Sequence, residues 1–302
     1  MTIRTILDTD IGTDVDDCLA LALILGSDEF ALEGVTCVYG DVVLRAAIVR
    51  KLLALRGISD VPIRLGARQP LLGLREIFWA GHEGQGLVEE DDGAPFDDEH
   101  AADFIIRTVI ANPRQIHLLA IGPLTNVALA MLKEPRLASE LAHLTIMGGV
   151  VRGQDRLDLP IVEHNIACDP EAAHIVCSAG APTTLVPLDV TLKCKIRQTD
   201  VNELRAQSTP FHDAVAGQIK QYPWFANQGH TFLHDPLAAA VIVDPSLVDL
   251  VPCHVAVETG GRLTTAMTVV QSPNEHHPEN ARIALKVDAA RAERFIIERM
   301  LK

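Results

Sequence analysis

The tightest constraint on this chain is its opening stretch. A short apolar run (Ile3, Ile6, Leu7) leads into Asp8-Thr9-Asp10-Ile11-Gly12-Thr13-Asp14-Val15-Asp16-Asp17, then into the apolar segment Cys18 to Leu25. Gly12 and Thr13 break the chain between a buried first strand and a buried helix. Asp8, Asp10, Asp14, Asp16 and Asp17 crowd the junction, and the carboxyl ends of strands are where an open α/β sheet binds ligands. Asp8 and Asp10 share a strand face by its period of two, while Asp16 and Asp17 open the helix, where the dipole favours negative charge. Crowded carboxylates repel one another and hold protons more tightly unless a cation neutralises them. Such an all-oxygen set suits a hard divalent ion, Ca2+ or Mg2+. Capping or turn roles account for Asp14 or Asp16 singly, but not for Asp8, Asp10, Asp16 and Asp17 together.

Two other acidic motifs compete for this stretch. An EF-hand loop needs oxygen ligands at alternate positions and Glu at its twelfth; counted from Asp8, the fifth position is Gly12 and the twelfth is Leu19, so that reading fails. A dehalogenase-type phosphatase places Gly-Thr directly after its aspartate pair, whereas Ile11 intervenes here.

Strand-like and helix-like segments alternate through most of the 302 residues. The expected fold class is therefore α/β: a single domain over 1–302, with an open, mainly parallel (mixed) sheet flanked by helices. Leu32 to Tyr39 reads as a second strand, and Asp41 as the start of a helix to about Leu55. Pro62 to Gly66, Ile116 to Ile121, Leu144 to Met147 and Pro182 to Leu188 are further strands. Residues 247–270 alternate like a hairpin around Gly260-Gly261. Residues 67–98, with Gly81, Gly84, Gly86 and the acidic run Glu89 to Asp92, form a long irregular stretch of the kind that is usually functional or disordered. A net charge of −14 argues against nucleic acid or an anionic membrane as partner. Six cysteines without a C-x-x-C pair read as reduced thiols of a cytoplasmic protein.

Two Asp-Pro pairs, Asp169-Pro170 and Asp235-Pro236, have the form of helix starts. Glu163 and Asn165, on one face of an extended segment, combine an acceptor and an amide suited to vicinal hydroxyls. Tyr222-Pro223-Trp224-Phe225 is an aromatic cluster that could stack on a base or anchor a helix end.

In order along the chain, Asp8-Thr9-Asp10-Ile11-Gly12 with Asp16-Asp17, Gly81-His82-Glu83-Gly84, and Ile121-Gly122-Pro123-Leu124-Thr125-Asn126 are followed by Glu163-His164-Asn165, Asp169-Pro170-Glu171-Ala172-Ala173 and His234-Asp235-Pro236. Together they resemble the signature of the inosine-uridine-preferring nucleoside hydrolases. The resemblance implies a Rossmann-like nucleoside hydrolase fold and hydrolysis of the N-glycosidic bond of ribonucleosides. It implies Ca2+ held by Asp10, Asp17, Asp235 and the Ile121 carbonyl, with a calcium-oriented water whose proton passes to Asp10 as general base. Asp16, Glu163 and Asn165 would grip ribose; Asp41, His82 and Met147 join the substrate-binding set. His234 is the candidate acid toward the leaving base, with His82 as second choice. A small-molecule nucleoside is the expected partner, in a homodimer or homotetramer.

The chain departs from the family pattern in places. Thr13-Asp14-Val15 stands between the glycine and the acidic pair where one residue is commoner. Asp41 stands where an Asn is common, and His164 where Phe is usual. No clear counterpart of the Asn used on the 5′-hydroxyl lies between Arg152 and Ile161. Three other readings remain open at this level: a hydrolase of modified or non-nucleoside ribosides, a Mg2+ phosphatase with Asp8 as nucleophile, and a non-catalytic ribose-binding protein.

Overall fold

The computed structural model describes residues 2–89, 95–151 and 157–302. The chain begins with β1 (Ile3–Thr9), α1 (Asp16–Leu25), β2 (Phe30–Cys37), α2 (Val42–Leu55) and β3 (Ile63–Leu65). After the long loop come α3 (Ala101–Ala111), β4 (Ile116–Ala120), α4 (Thr125–Lys133), α5 (Leu137–Glu140) and β5 (His143–Met147). Then follow α6 (His164–Cys168), α7 (Pro170–Ser178), β6 (Thr183–Val186) and α8 (Leu188–Thr191). Next are β7 (Lys195–Arg197), α9 (Gln198–Ala206), α10 (Pro210–Gln221), α11 (Pro223–Gln228), β8 (His230–Phe232) and α12 (His234–Val243). The chain closes with β9 (Val248–Val257), β10 (Thr268–Gln271), β11 (Ala281–Val287) and α13 (Ala289–Met300).

The main sheet has nine strands in the order β10-β9-β11-β6-β5-β4-β1-β2-β3. From β11 to β3 every neighbouring pair is parallel, while β9 and β10 add an antiparallel edge, so the sheet is mixed as its pattern predicted. The chain runs outward from β1 through β2 to β3, then returns to lay β4 on the other side of β1. That reversal opens a crevice at the carboxyl ends of β1 and β4, the usual ligand site of such sheets.

The central strands are apolar on both faces because helices cover both. Leu7 and Leu119 belong to the core shared with α1, α2, α12 and α13; Ile6 and Leu118, one residue earlier, belong to the core beneath α3, α4 and α7. This period-two split explains why β1 and β4 read as nearly continuous hydrophobic runs. Helix α1 is buried along almost its whole length between the sheet, α12 and α13, as its unbroken apolar sequence requires. No described helix is long and apolar enough to cross a membrane.

Some local expectations need correction. Glu163 and Asn165 do not share one face of an extended segment: Glu163, itself extended, is the N-cap of α6, and Asn165 is in its first turn. The acidic run beyond Glu89 and residues 152–156 of the Arg152–Ile161 interval lie outside the described residues.

Candidate active site

A cavity of about 360 Å3 opens at this crevice, within the range of small-molecule sites. Loop ends after β1, β4 and β5 bring Asp10, Ile121 and Met147 to its floor. Asp16 and Asp17 come from the first turn of α1, Glu163 and Asn165 from α6, and His234 and Asp235 from α12. His82 enters from the loop after β3, and Tyr222 and Trp224 from the α10–α11 corner. The structure thus brings together all the nominated site residues except Asp41. That residue caps α2, accepting from Val43 N and Leu44 N at 3.1 and 3.2 Å, and borders a separate depression with Arg68 and Trp79. Its carboxylate is committed to the helix end, so it is not part of the cavity.

Asp16, Asp17 and Asp235 present carboxylate oxygens within 4.8 Å of one another, and all three residues are buried. Burial first, and then the charge of neighbouring aspartates, holds each of them well above the ordinary carboxylate range. Asp17 accepts from the Thr9 hydroxyl at 2.5 Å, whereas Asp235 Oδ1 is buried without a hydrogen-bond partner. Asp10 lines the same cavity; burial raises its pKa, opposed by the charges of Arg45 and His164. Gly122 is required beside it, because a Cβ there would stand 2.8 Å from Asp10 Oδ1.

Asp8 has a different fate from its neighbours. It is fully buried, and its Oδ1 accepts from Thr36 Oγ1 at 2.5 Å and Asn126 Nδ2 at 2.8 Å. Burial, only partly offset by these bonds, pushes its carboxyl up to about 7. Asp8 does not line the cavity, so the phosphatase reading loses its nucleophile.

The sugar-side candidates are held by the backbone. Glu163 accepts from Asn165 N at 2.7 Å, Ile166 N at 3.0 Å and Gly149 N at 3.1 Å, which ties α6 to the end of β5. Asn165 Nδ2 donates to the Ile121 carbonyl at 2.7 Å; that oxygen keeps a second lone pair for another partner.

His234 Nδ1 lies 2.7 Å from Thr191 Oγ1. If the hydroxyl donates, the proton of the neutral ring sits on Nε2. Burial lowers the pKa of His234. His82 Nε2 donates to the Thr13 carbonyl at 2.9 Å, and its ring tilts against Tyr222 with centroids 6.2 Å apart. Tyr222 in turn donates its hydroxyl to Asp14 Oδ2 at 2.7 Å.

Sequence reasoning passed over several contributors. Arg45 is fully buried and clamps the acidic loop, donating to the carbonyls of Tyr39, Asp10 and Ile11 and to the Thr13 hydroxyl. On a helix pattern it is simply one more basic residue. Phe78 lines the cavity and meets His164 edge-on with centroids 5.7 Å apart. Thr9 and Thr191, which orient Asp17 and His234, carry no local signal at all.

A family model described as inosine-uridine preferring nucleoside hydrolase matches residues 5–294. The chain is 35% identical to a pyrimidine-specific ribonucleoside hydrolase, RihA, of Salmonella arizonae, covering 89% of each. It is 33% identical to the inosine-uridine preferring nucleoside hydrolase of Crithidia fasciculata, covering 94% of this chain and 93% of that protein. Among solved structures it resembles a purine-preferring ribonucleoside hydrolase from Gardnerella vaginalis, with a TM-score of 0.88, 30% identity and coverage of 99% and 98%. These relatives bear different base preferences in their names.

Proposed function

The chain belongs to the inosine-uridine preferring nucleoside hydrolase family, enzymes of nucleoside N-glycosidic bonds, and from that premise we propose how its cavity cleaves a ribonucleoside to ribose and free base. The observation that carries the proposal is the close trio Asp16, Asp17 and Asp235, with an unpartnered buried oxygen on Asp235. Buried carboxylates left facing one another fit a hard divalent cation, because Arg45 offsets only part of the charge at Asp17.

Asp17 and Asp235, with Asp10 and the Ile121 carbonyl, would hold that cation, proposed as Ca2+. Bound there, it would cancel the repulsion among the carboxylates and make a nearby water more acidic. Asp16, facing the same space, takes a ribose hydroxyl together with Asn165 Oδ1 and Glu163. Asp10 accepts the proton of the attacking water. As the C1′–N bond breaks, positive charge develops on the sugar, and the surrounding carboxylates favour that oxocarbenium-like state. His234, oriented by Thr191, donates its Nε2 proton to the departing base. Tyr222 and Trp224 offer faces on which the base can stack.

The test is base release from inosine, uridine, cytidine and adenosine, with and without a chelator of divalent ions. Release that stops with the chelator and returns on adding Ca2+ is the expected result, and the ranking reads out base preference. Metal-replete protein that binds nucleosides but releases no base would overturn the catalytic reading.

A further inference from the structure

The cavity carries an acid, Asp14, that the reaction on ribose does not use. Among the described residues, Asp10, Asp14, Asp16, Asp17, Glu163 and Asp235 all line the cavity and no Lys or Arg does. Arg45 lies behind the loop with its donors spent on backbone carbonyls and Thr13. One divalent cation and Arg45 together leave this set of acids in surplus. Asp14 is the acid furthest from an established duty. It stands outside the close carboxylate trio, taking the Val15 N–H on Oδ1 at 2.5 Å and the Tyr222 hydroxyl on Oδ2 at 2.7 Å.

Tyr222 reaches Asp14 itself, and the cavity that Asp14 lines has further aromatic walls. Tyr222 and Trp224 come from the α10–α11 corner and Phe78 from the loop facing it. Trp224 and Phe78 remain 48% and 56% exposed, which leaves large ring surfaces open to a ligand. A neutral base needs such faces for stacking, but a carboxylate among them costs desolvation when a neutral ring arrives. A delocalised organic cation gains from both the ring faces and the carboxylate.

We propose that Asp14, Tyr222, Trp224 and Phe78 select ribosides whose base carries a positive charge, such as N-ribosylpyridinium and 7-alkylpurine ribosides. The inference rests on the hydrolase reading above and names its substrate class. In the cleavage, the water oxygen bonds to C1′ and the C1′–N bond breaks. Its electron pair neutralises the base cation, and the proton of the water passes to Asp10. The base therefore leaves neutral and needs no proton from His234.

The experiment compares kcat/KM for 7-methylguanosine and guanosine at mildly acidic pH, where the methylated base keeps its charge, in the wild type and in Asp14→Asn. The wild type is expected to favour the cation beyond the ratio of the spontaneous rates. The neutral amide should cut that preference about tenfold, mainly through KM of the cationic substrate. Trp224→Leu, at an exposed ring, should lower the same ratio and serves if Asp14→Asn does not fold. His234→Ala should slow guanosine far more than 7-methylguanosine. Competition of nicotinamide riboside, as an alternative substrate, against guanosine should weaken in Asp14→Asn, a second readout of the same preference. Guanosine hydrolysis with a cation preference that neither variant changes would overturn the inference and leave the hydrolase intact. Base release from uridine or inosine but from neither guanosine nor 7-methylguanosine would overturn the inference alone, and no release from any of the four by metal-replete wild type would remove both.

Discussion

Two helices of this protein carry the same Asp-Pro dipeptide at their amino ends, and the two aspartates live in opposite surroundings. At α7, Asp169 caps the helix through Ala172 N at 3.0 Å and also accepts from Thr125 Oγ1 at 2.7 Å and Leu71 N at 2.8 Å. At α12, Asp235 makes no cap; one oxygen has no partner, and its neighbours are Asp16 and Asp17. Both residues are buried. What differs is the sign of the groups around them: donors surround Asp169, acceptors surround Asp235. A buried carboxylate among donors holds a fold together. One among acceptors destabilises it until a cation arrives.

That contrast can be broken most severely at the acidic cluster. Asp10→Ala should lose kcat by roughly a thousandfold or more while the protein stays folded, checked by base release alongside circular dichroism. Near-normal turnover would take the general-base role from Asp10. Asp235→Asn should lower activity by about a hundredfold or more and abolish divalent-cation binding seen by calorimetry. In metal-free protein the same change should leave the melting temperature level or raise it, since it removes a repelled charge.

Asp169→Asn is the control for that comparison. It should cost about 1–3 kcal/mol in urea unfolding through the weakened cap and hydrogen bonds, with cation affinity unchanged. Were Asp235→Asn to weaken the metal-free fold as Asp169→Asn does, the two aspartates would be doing the same job and the distinction would collapse.

The amino ends of the strands offer a gentler version of the same test. His117 on β4 has Nε2 2.9 Å from Thr145 Oγ1 and packs beside His143 with ring centroids 5.1 Å apart. Burial, then the like charge of His143, depresses its pKa to about 3. A histidine depressed in the fold contributes its stability above the unfolded value of about 6.5 and loses it as pH falls toward 3. Urea midpoints should therefore drop across that window, and His117→Gln should flatten the drop by about 1–3 kcal/mol. The smallest expected effect is at Thr191→Val, which should slow kcat less than about tenfold and alter the pH profile through His234.

The order of strands and helices was legible because alternating apolar periods are local, and the acidic β1–α1 junction stood out because five like charges cannot be ignored by any fold. The hairpin of β9 and β10 was equally readable from its turn glycines. Asp41 had two readings in the sequence, cap or substrate contact, and its local bonds to α2 show the cap.

Other features have no local trace. Ile121 offers a backbone carbonyl, and a carbonyl leaves no mark on residue type. Arg45 reaches back more than thirty residues to the Asp10 and Ile11 carbonyls, Asn126 reaches Asp8 across the sheet, and Tyr222 meets Asp14 from the far end of the chain. By itself the sequence determined an α/β sheet with a cluster of acids at the end of its first strand. Only the tertiary structure decided which of those acids meet donors and which meet one another, because a carboxylate's role depends on charges brought to it through space and not on the residues beside it in the chain.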